Sequence, residues 1–413
     1  MASRPVEHRP RGILRRTAAL LSPAAAVAGR AALDRDATAR RDRLIAAARD
    51  GLQQRRHPSR PKMRALIASG GGRLTWRSVP APPPPGPDAA LVRPIAVATC
   101  DLDRALALGD TPFPLPLSIG HECVAEVLEV GGEVANVQVG DRVVVPFEIN
   151  CGLCGACRAG FTSNCTGVPP LSMYGFGLGG GHWGGVLADQ VAVPFADAML
   201  VPLPEGVDPV AAASVADTIC DAYRHIAPHL PGLLRRDPDT EVLVIACLGG
   251  RTIYSASVPL YAGLIALALG ARRVRLVDGR ADVRAVAAGL GLEPVHPRAL
   301  RTTPPASLVV AASATSRGLW AALSHTAADG VCSSLGGLHR TARIPMMQLY
   351  ARNISFHVGR TDVRALAPSV LELIVDGRFQ PERVISTRGA LDDAPRLLDA
   401  HYRTGDIKTV LSR

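Results

Sequence analysis

The feature that most constrains this chain is Cys151-Gly-Leu-Cys154-Gly-Ala-Cys157-Arg-Ala-Gly-Phe-Thr-Ser-Asn-Cys165, four cysteines within fifteen residues. Four thiolates on a glycine-rich loop close a tetrahedral cage around Zn²⁺, and a cage with no open position is structural rather than catalytic. A four-cysteine iron–sulfur cluster needs the same donors and is the rival reading at this level. Disulfides fit less well, because the spacing is of the metal type and points to reduced thiolates. Cys123, Cys220, Cys247 and Cys332 lie in apolar surroundings and read as small buried hydrophobes.

A chain of 413 residues, 47% of them hydrophobic, is long enough to fill two cores. It contains no apolar run of the roughly 18 residues needed to cross a bilayer, and its start lacks a compact apolar core followed by a small-residue cleavage site. The expectation is a cytoplasmic protein with no membrane partner. The formal charge of +10 invites a nucleic-acid reading until it is located. Residues 1–62 hold fourteen arginines and Lys62 against Glu7, Asp34, Asp36, Asp42 and Asp50, which accounts for the whole excess. A body that bound nucleic acid would spread its charge over a folded face, so no nucleic-acid partner is expected. The stretch 1–62 reads as a basic extension, disordered or partly helical around Ala37 to Leu52. Alternatively, translation starts at Met63, where MRALIASGGGRLTWRSVP has the form of strand, glycine turn and strand.

From Met63 to about Val201, short β-type runs such as ECVAEVLEV, GGEVANVQVGD and RVVVPF alternate with Gly and Pro turns, which predicts an all-β, barrel-like region. After Pro209 strands alternate with helices: EVLVIACL, YAGLIALALGA, RRVRLVD, ADVRAVAAGLG and SLVVAAS. That rhythm predicts βαβ units and a parallel sheet covered by helices. The tail from about Gly359, with helical APSVLELIVDG and ALDDAPRLLDAHYRTG and a final TVLS, breaks the rhythm and is expected to pack back on the first region. The tract APPPPGP at 81–87 is a rigid loop rather than a linker.

The C-x2-C-x2-C-x7-C lobe, preceded by Gly120-His121-Glu122 and by Cys100, resembles the zinc-dependent medium-chain dehydrogenase/reductase family of alcohol dehydrogenase-like proteins. The resemblance runs from about Met63 to the C-terminus. It implies an α/β protein in which a GroES-like β-barrel catalytic domain is interrupted by a Rossmann-type doubly wound parallel-sheet domain. The expected limits are 63–224 and 358–413 for the catalytic domain, with the zinc lobe at 150–166, and 225–357 for the cofactor-binding domain. Two Zn²⁺ per chain are implied, the reactive one on Cys100, His121 and Asp217. Asp217 enters because VADTICDAYRH is similar to the family segment that supplies a Cys or Asp ligand six residues before a Tyr, here Tyr223. One thiolate, one imidazole and one carboxylate neutralise the ion and leave a fourth position for water or a substrate oxygen. The resemblance places Glu122 behind the metal, unless it simply forms a buried ion pair with Lys408. It makes Asp103 the acid that accepts a hydrogen bond from the zinc-bound histidine, unless it is a turn aspartate.

Two departures from the family stand out. Its usual Cys-x-Ser/Thr-Asp carries a hydroxyl for proton transfer, whereas this chain reads Cys100-Asp101-Leu102-Asp103, and Leu102 cannot relay a proton. Asp101, His182 or an ordered water would have to replace it, or the reaction does without. The dinucleotide fingerprint G-x-G-x-x-G is also damaged: after EVLVI only Gly249 and Gly250 remain, and Pro259 stands near the expected position of the last glycine. Arg251 could meet a phosphate. Asp278 ends the second strand, where an acid accepts ribose hydroxyls and opposes a 2′-phosphate, which favours NAD over NADP, although Arg280 softens that preference. The loops Ala311–Ala314 and Ser333–Gly337 resemble the strand ends that border adenosine and nicotinamide. The leading expectation is an alcohol dehydrogenase or carbonyl reductase for a small alcohol, aldehyde or ketone, assembled as a homodimer or homotetramer. The alternatives are a non-redox zinc lyase or cyclase on the same scaffold, and a binding protein that keeps only the structural zinc.

Overall fold

The computed structural model describes residues 61–413 except 112, 114, 182, 336–341 and 405. The basic extension, His182 as a proton relay, and the Gly336-Gly337 end of one loop therefore lie outside the described residues, apart from Pro61 and Lys62. The strand–turn–strand reading at Met63 corresponds to β1 (Lys62–Ala68) and β2 (Leu74–Pro80), paired antiparallel.

The first region continues through β3 (Ala90–Ala98), α1 (Asp103–Leu108), β4 (Leu117–Ser118), β5 (Glu122–Val130), β6 (Arg142–Val145), β7 (Val191–Val193) and β8 (Val201–Pro202). In β5, Cys123, Val124 and Ala125 are buried in succession, so the first half of the strand is covered on both faces, and Glu129 near its end is its one exposed residue. GGEVANVQVGD was expected to supply a strand and instead forms a loop between β5 and β6. The Asp197 carboxylate accepts hydrogen bonds from Ala135 N and Asn136 N, satisfying backbone groups that a ladder would otherwise pair.

α2 (Thr218–Ile226) leads to the second region: β9 (Val242–Cys247), α3 (Ser257–Ala268), β10 (Val274–Asp278), α4 (Ala281–Gly289), β11 (Glu293–Val295), β12 (Ala306–Ala311), α5 (Ser316–Ser324), β13 (Thr326–Ser334), α6 (Met346–Ala351) and β14 (Ser355–Val358). Its strands form one parallel sheet in the order β11-β10-β9-β12-β13-β14. Numbered from β9, that is 3-2-1-4-5-6, the doubly wound order whose crevice opens outside the carboxyl ends of the two central strands. Successive residues of β9 serve different cores: Val242 and Val244 face one, Leu243 and Ile245 the other. A strand covered on both faces has no polar side, which explains why VLVIAC is apolar throughout. α3 is apolar nearly all round for the same reason and is buried over most of its length.

The tail comprises α7 (Val363–Val375), β15 (Thr387–Ala390), α8 (Ala394–Thr404) and β16 (Thr409–Ser412). β16 pairs antiparallel with β3, Val410 opposite Ala98, which gives the first region a sheet in the order β15-β16-β3-β5-β6-β8 with β7 also on β3. The chain thus leaves the first region, builds the parallel sheet and returns. No described helix is long and apolar enough to cross a membrane.

Candidate metal centre and cofactor cleft

The β3–β5 register brings two distant segments to one end of the sheet. Ala98 lies opposite Glu122, so Cys100, just beyond β3, and His121, just before β5, sit side by side. Gly120 makes the turn into His121 with φ +94°, and a Cβ there would lie 3.0 Å from the Leu187 backbone nitrogen, so only glycine fits. Asp217 arrives from the residue before α2. Ligand atoms of Cys100, His121, Glu122 and Asp217 all fall within 4.8 Å of one another.

The electrostatics of this group call for a cation. His121 is buried, with Nε2 3.3 Å from Asp217 Oδ2 and Nδ1 3.7 Å from Asp103 Oδ1, and neither contact has hydrogen-bond geometry. Burial would lower its pKa, yet the carboxylates of Asp217, Asp103 and Glu122 outweigh burial and lift it to about 9. Burial, followed by Asp217, Glu122 and Asp103, pushes the Cys100 thiol well up. Buried polar atoms left unpaired beside excess negative charge are what a divalent ion would balance. Cys100, His121 and Asp217 fit zinc as one S, one N and one O donor with a position to spare.

Glu122 has its charge held from behind. Lys408 Nζ lies 2.8 Å from Glu122 Oε2, both side chains fully buried, and also donates to Thr99 O and to Thr218 Oγ1, while Thr218 Oγ1 donates to Glu122 Oε1. Burial raises the Glu122 pKa to about 7 in spite of Lys408. Asp103 is placed differently from the expectation. Its Oδ2 accepts from Cys100 N at 2.9 Å, while its other oxygen is too far from His121 for a hydrogen bond. Asp103 begins α1 and is fixed by the tight turn after β3, so it orders the backbone of Cys100 rather than the imidazole.

The cysteine lobe forms a second group. The sulfurs of Cys151, Cys154, Cys157 and Cys165 lie within 4.8 Å of one another, with Cys165–Cys151 at 3.5 Å and Cys154–Cys165 at 3.9 Å. Sulfurs tetrahedrally placed around zinc are about 3.8 Å apart, so the lobe fits the ion. Backbone amides aim at the sulfurs: Cys157 N and Thr166 N at Cys154, Cys151 N and Gly167 N at Cys165. Burial works against ionisation of Cys154, but the amides of Cys157 and Thr166 bring its pKa down to about 5. The other four expected core cysteines, Cys123, Cys220, Cys247 and Cys332, are buried.

A cleft of about 820 Å³ runs from Cys100 between the two regions. One wall carries Asp101, Arg104, His401 and Arg403, and the other the 250–255 loop with Gly279 to Asp282. Gly250 lines it, whereas Gly249 packs on Gly279, where a Cβ would lie 2.0 Å from the Gly249 carbonyl oxygen. Asp278 is fully buried, and Arg280 takes both its oxygens, with Nη2 at 2.7 Å and Nε at 3.0 Å. The carboxylate expected to face a ribose is thus already paired. Asp101, considered above only as a proton relay, instead binds the start of α3. Its Oδ1 accepts from the Ser255 and Ser257 hydroxyls and from Ser257 N at 3.3 Å, and its Oδ2 accepts from Val258 N at 3.2 Å. Beside the metal group, Phe176 lies 4.9 Å from the His121 ring and Phe113 packs edge-on to Phe176 at 4.8 Å, giving an apolar flank.

A doubly wound parallel sheet joined to a β region with these two ligand groups defines the dehydrogenase class of two-domain zinc proteins. Residues 86–205 match the alcohol dehydrogenase GroES-like domain. The "probable zinc-binding alcohol dehydrogenase" of Mycobacterium tuberculosis is 27% identical over 83% of this chain and 87% of its own. Geraniol dehydrogenase of Castellaniella defragrans is 29% identical over 84% of this chain and 96% of its own. The alcohol dehydrogenase TADH from Thermus sp. ATN1 superposes with a TM-score of 0.74 at 29% identity, covering 85% of this chain and 99% of that one. Residues 86–205 thus carry an alcohol dehydrogenase GroES-like domain, and most of the chain is similar to zinc-binding and other alcohol dehydrogenases.

Proposed function

We propose that this chain is a zinc-dependent alcohol dehydrogenase or carbonyl reductase, moving hydride between a small alcohol, aldehyde or ketone and a nicotinamide dinucleotide. The observation that carries the reading is the convergence of Cys100, His121 and Asp217 at one end of a cleft between the two regions that Cys100 itself lines. Bound zinc supplies a Lewis acid that acidifies an alcohol or polarises a carbonyl, and the nicotinamide supplies the hydride partner. Cys100 and Asp217 supply the negative charge and His121 the neutral donor. Asp103 fixes the Cys100 backbone, Lys408 holds Glu122 behind the group, and Phe176 with Phe113 gives the flank that keeps water from one side. Leu102 leaves the alcohol proton without a hydroxyl relay at that position, and Asp101 is bonded to α3, which leaves His182 and ordered water as the carriers named above.

Two zinc ions per chain are part of the reading, one in the cysteine lobe and one on Cys100, His121 and Asp217. The same division of labour assigns 63–224 and 358–413 to catalysis and 225–357 to the cofactor. NAD is the preferred coenzyme on the strength of Asp278, with Arg280 reducing the discrimination against NADP. Gly250 is the retained fingerprint glycine that faces the cleft, and Gly249 shapes the loop from behind. The relatives named above are dehydrogenases, and no observation favours a lyase or cyclase use of the zinc. A homodimer or homotetramer is supported by β14, the outer strand of the parallel sheet, beside which Met346, Met347, Tyr350 and Val358 are exposed. A cytoplasmic setting suits the reduced thiols.

The test combines metal analysis with titration by NADH and NADPH and assays on a panel of small alcohols and aldehydes. Two zinc ions, dinucleotide binding, and turnover that is lost in Cys100→Ala while the lobe zinc remains are the expected results. A chain that holds two zinc ions but binds neither dinucleotide at millimolar concentration contradicts the proposal.

A further inference from the structure

Helix α3 begins without a cap of its own. Ala256 occupies the N-cap position and offers no side-chain acceptor to the first amides. In a doubly wound domain those amides, at the carboxyl end of the first strand, are where a dinucleotide's diphosphate binds. Here they are already engaged. Asp101 reaches across the cleft from the other region and accepts from Ser257 N, Val258 N and the hydroxyls of Ser255 and Ser257. All four donors lie in Ser255–Val258, and Asp101 adjoins Cys100, so a single carboxylate ties the metal group to the cofactor helix.

We propose that Asp101 is a specificity-determining residue that competes with the dinucleotide diphosphate for the start of α3. The inference rests on the function proposed above. A carboxylate seated there uses the donors and adds a negative charge that opposes a diphosphate. A dinucleotide must displace Asp101 before its diphosphate can bind, and Arg104 and Arg251, which line the same cleft, attract anions while the displaced carboxylate finds water. Binding therefore couples to release of one region from the other, so the chain is selective against ligands whose diphosphate contacts are too weak to open the clasp.

The experiment measures dissociation constants for NADH by fluorescence and for ADP by calorimetry, in the zinc-loaded wild type, Asp101→Ala and Asp101→Asn. Removing the competing charge is expected to tighten both ligands by ~10-fold or more, because the donors at the start of α3 are then free and the opposing charge is gone. ADP isolates the diphosphate and adenosine from any effect at the nicotinamide end. Zinc content reports that each variant is folded. Should Asp101→Ala lose zinc, the near-isosteric Asp101→Asn supplies the reading, and Ser255→Ala, which removes one donor from the clasp, is expected to tighten ADP by a smaller factor. Wild type that binds tightly, with unchanged or weaker binding in the Asp101 variants, overturns the clasp and leaves the proposed function standing. Failure of wild type and variants alike to bind either ligand overturns both.

Discussion

Lys408 and Glu122 show how much a single residue can decide in this protein. The ammonium has three oxygen partners, Thr99 O, Glu122 Oε2 and Thr218 Oγ1, and no access to water. Lys408→Met would leave the Glu122 charge buried and unpaired, and chemical denaturation should show a loss of about 3–5 kcal/mol. Lys408→Met with Glu122→Gln together should recover most of that loss, because the charge needing a partner is gone. Arg280 acts in the same way on Asp278. In Arg280→Ala the freed carboxylate faces the cofactor side alone, so the ratio of NADPH to NADH dissociation constants should rise about tenfold, the factor that follows from losing one charged hydrogen bond to a phosphate. An unchanged ratio would show that Asp278 does not read the ribose. Asp278 as an acid at a strand end was legible in the sequence. Its pairing was not, because an arginine two residues away has several reachable partners and only the packed loop selects one.

Among the elements, α2 links the two regions most directly. Thr218, at its start, donates to Glu122, and His225, in its last turn, makes a 2.7 Å bond through Nδ1 to Ser333 Oγ at the end of β13. Burial, reinforced by Arg224, lowers the His225 pKa from 6.5 to about 3. A histidine whose folded pKa is depressed contributes stability that is fully present above the unfolded value. That contribution is lost as pH falls from about 6.5 towards 3, because the unfolded chain then binds the proton more readily. His225→Asn, which keeps a polar atom near Ser333, should therefore show a shallower fall in unfolding free energy than wild type across that window. Equal slopes would place His225 outside the acid response. The helices and strands themselves follow the apolar periodicity closely, as in α3 and β9. GGEVANVQVGD was misleading because its alternation matched a strand, while backbone satisfaction came from Asp197, 61 or 62 residues away.

For the molecule as a whole, the proposed function divides the work between the two ligand groups, the cysteine lobe holding the fold and Cys100, His121 and Asp217 carrying the chemistry. The lobe is tied to the tail: Ser163 N and Oγ donate to Asp362, Arg360 donates to Ser163 O, and Arg364 N donates to Glu148. Cys154→Ser should lower the zinc content from two to one per chain and reduce the melting temperature, while the ion on Cys100, His121 and Asp217 stays. Loss of both ions in this variant would mean that the lobe also supports the reactive site.

The sequence by itself determined what lies within one loop or one periodic segment. The four-cysteine spacing specified the lobe because its donors, glycines and amides are all neighbours along the chain, and the βαβ rhythm specified the doubly wound sheet because burial on two faces requires apolar strands. The pairing of Cys100 with His121 could be reached only through a family resemblance. Only the tertiary structure decided the contacts across the cleft and behind the metal group. Asp101 meets Ser257 across 156 positions and Glu122 meets Lys408 across 286. Such contacts depend on sheet register and on how two regions pack, and a carboxylate in isolation has no preference among the many donors that packing could bring to it.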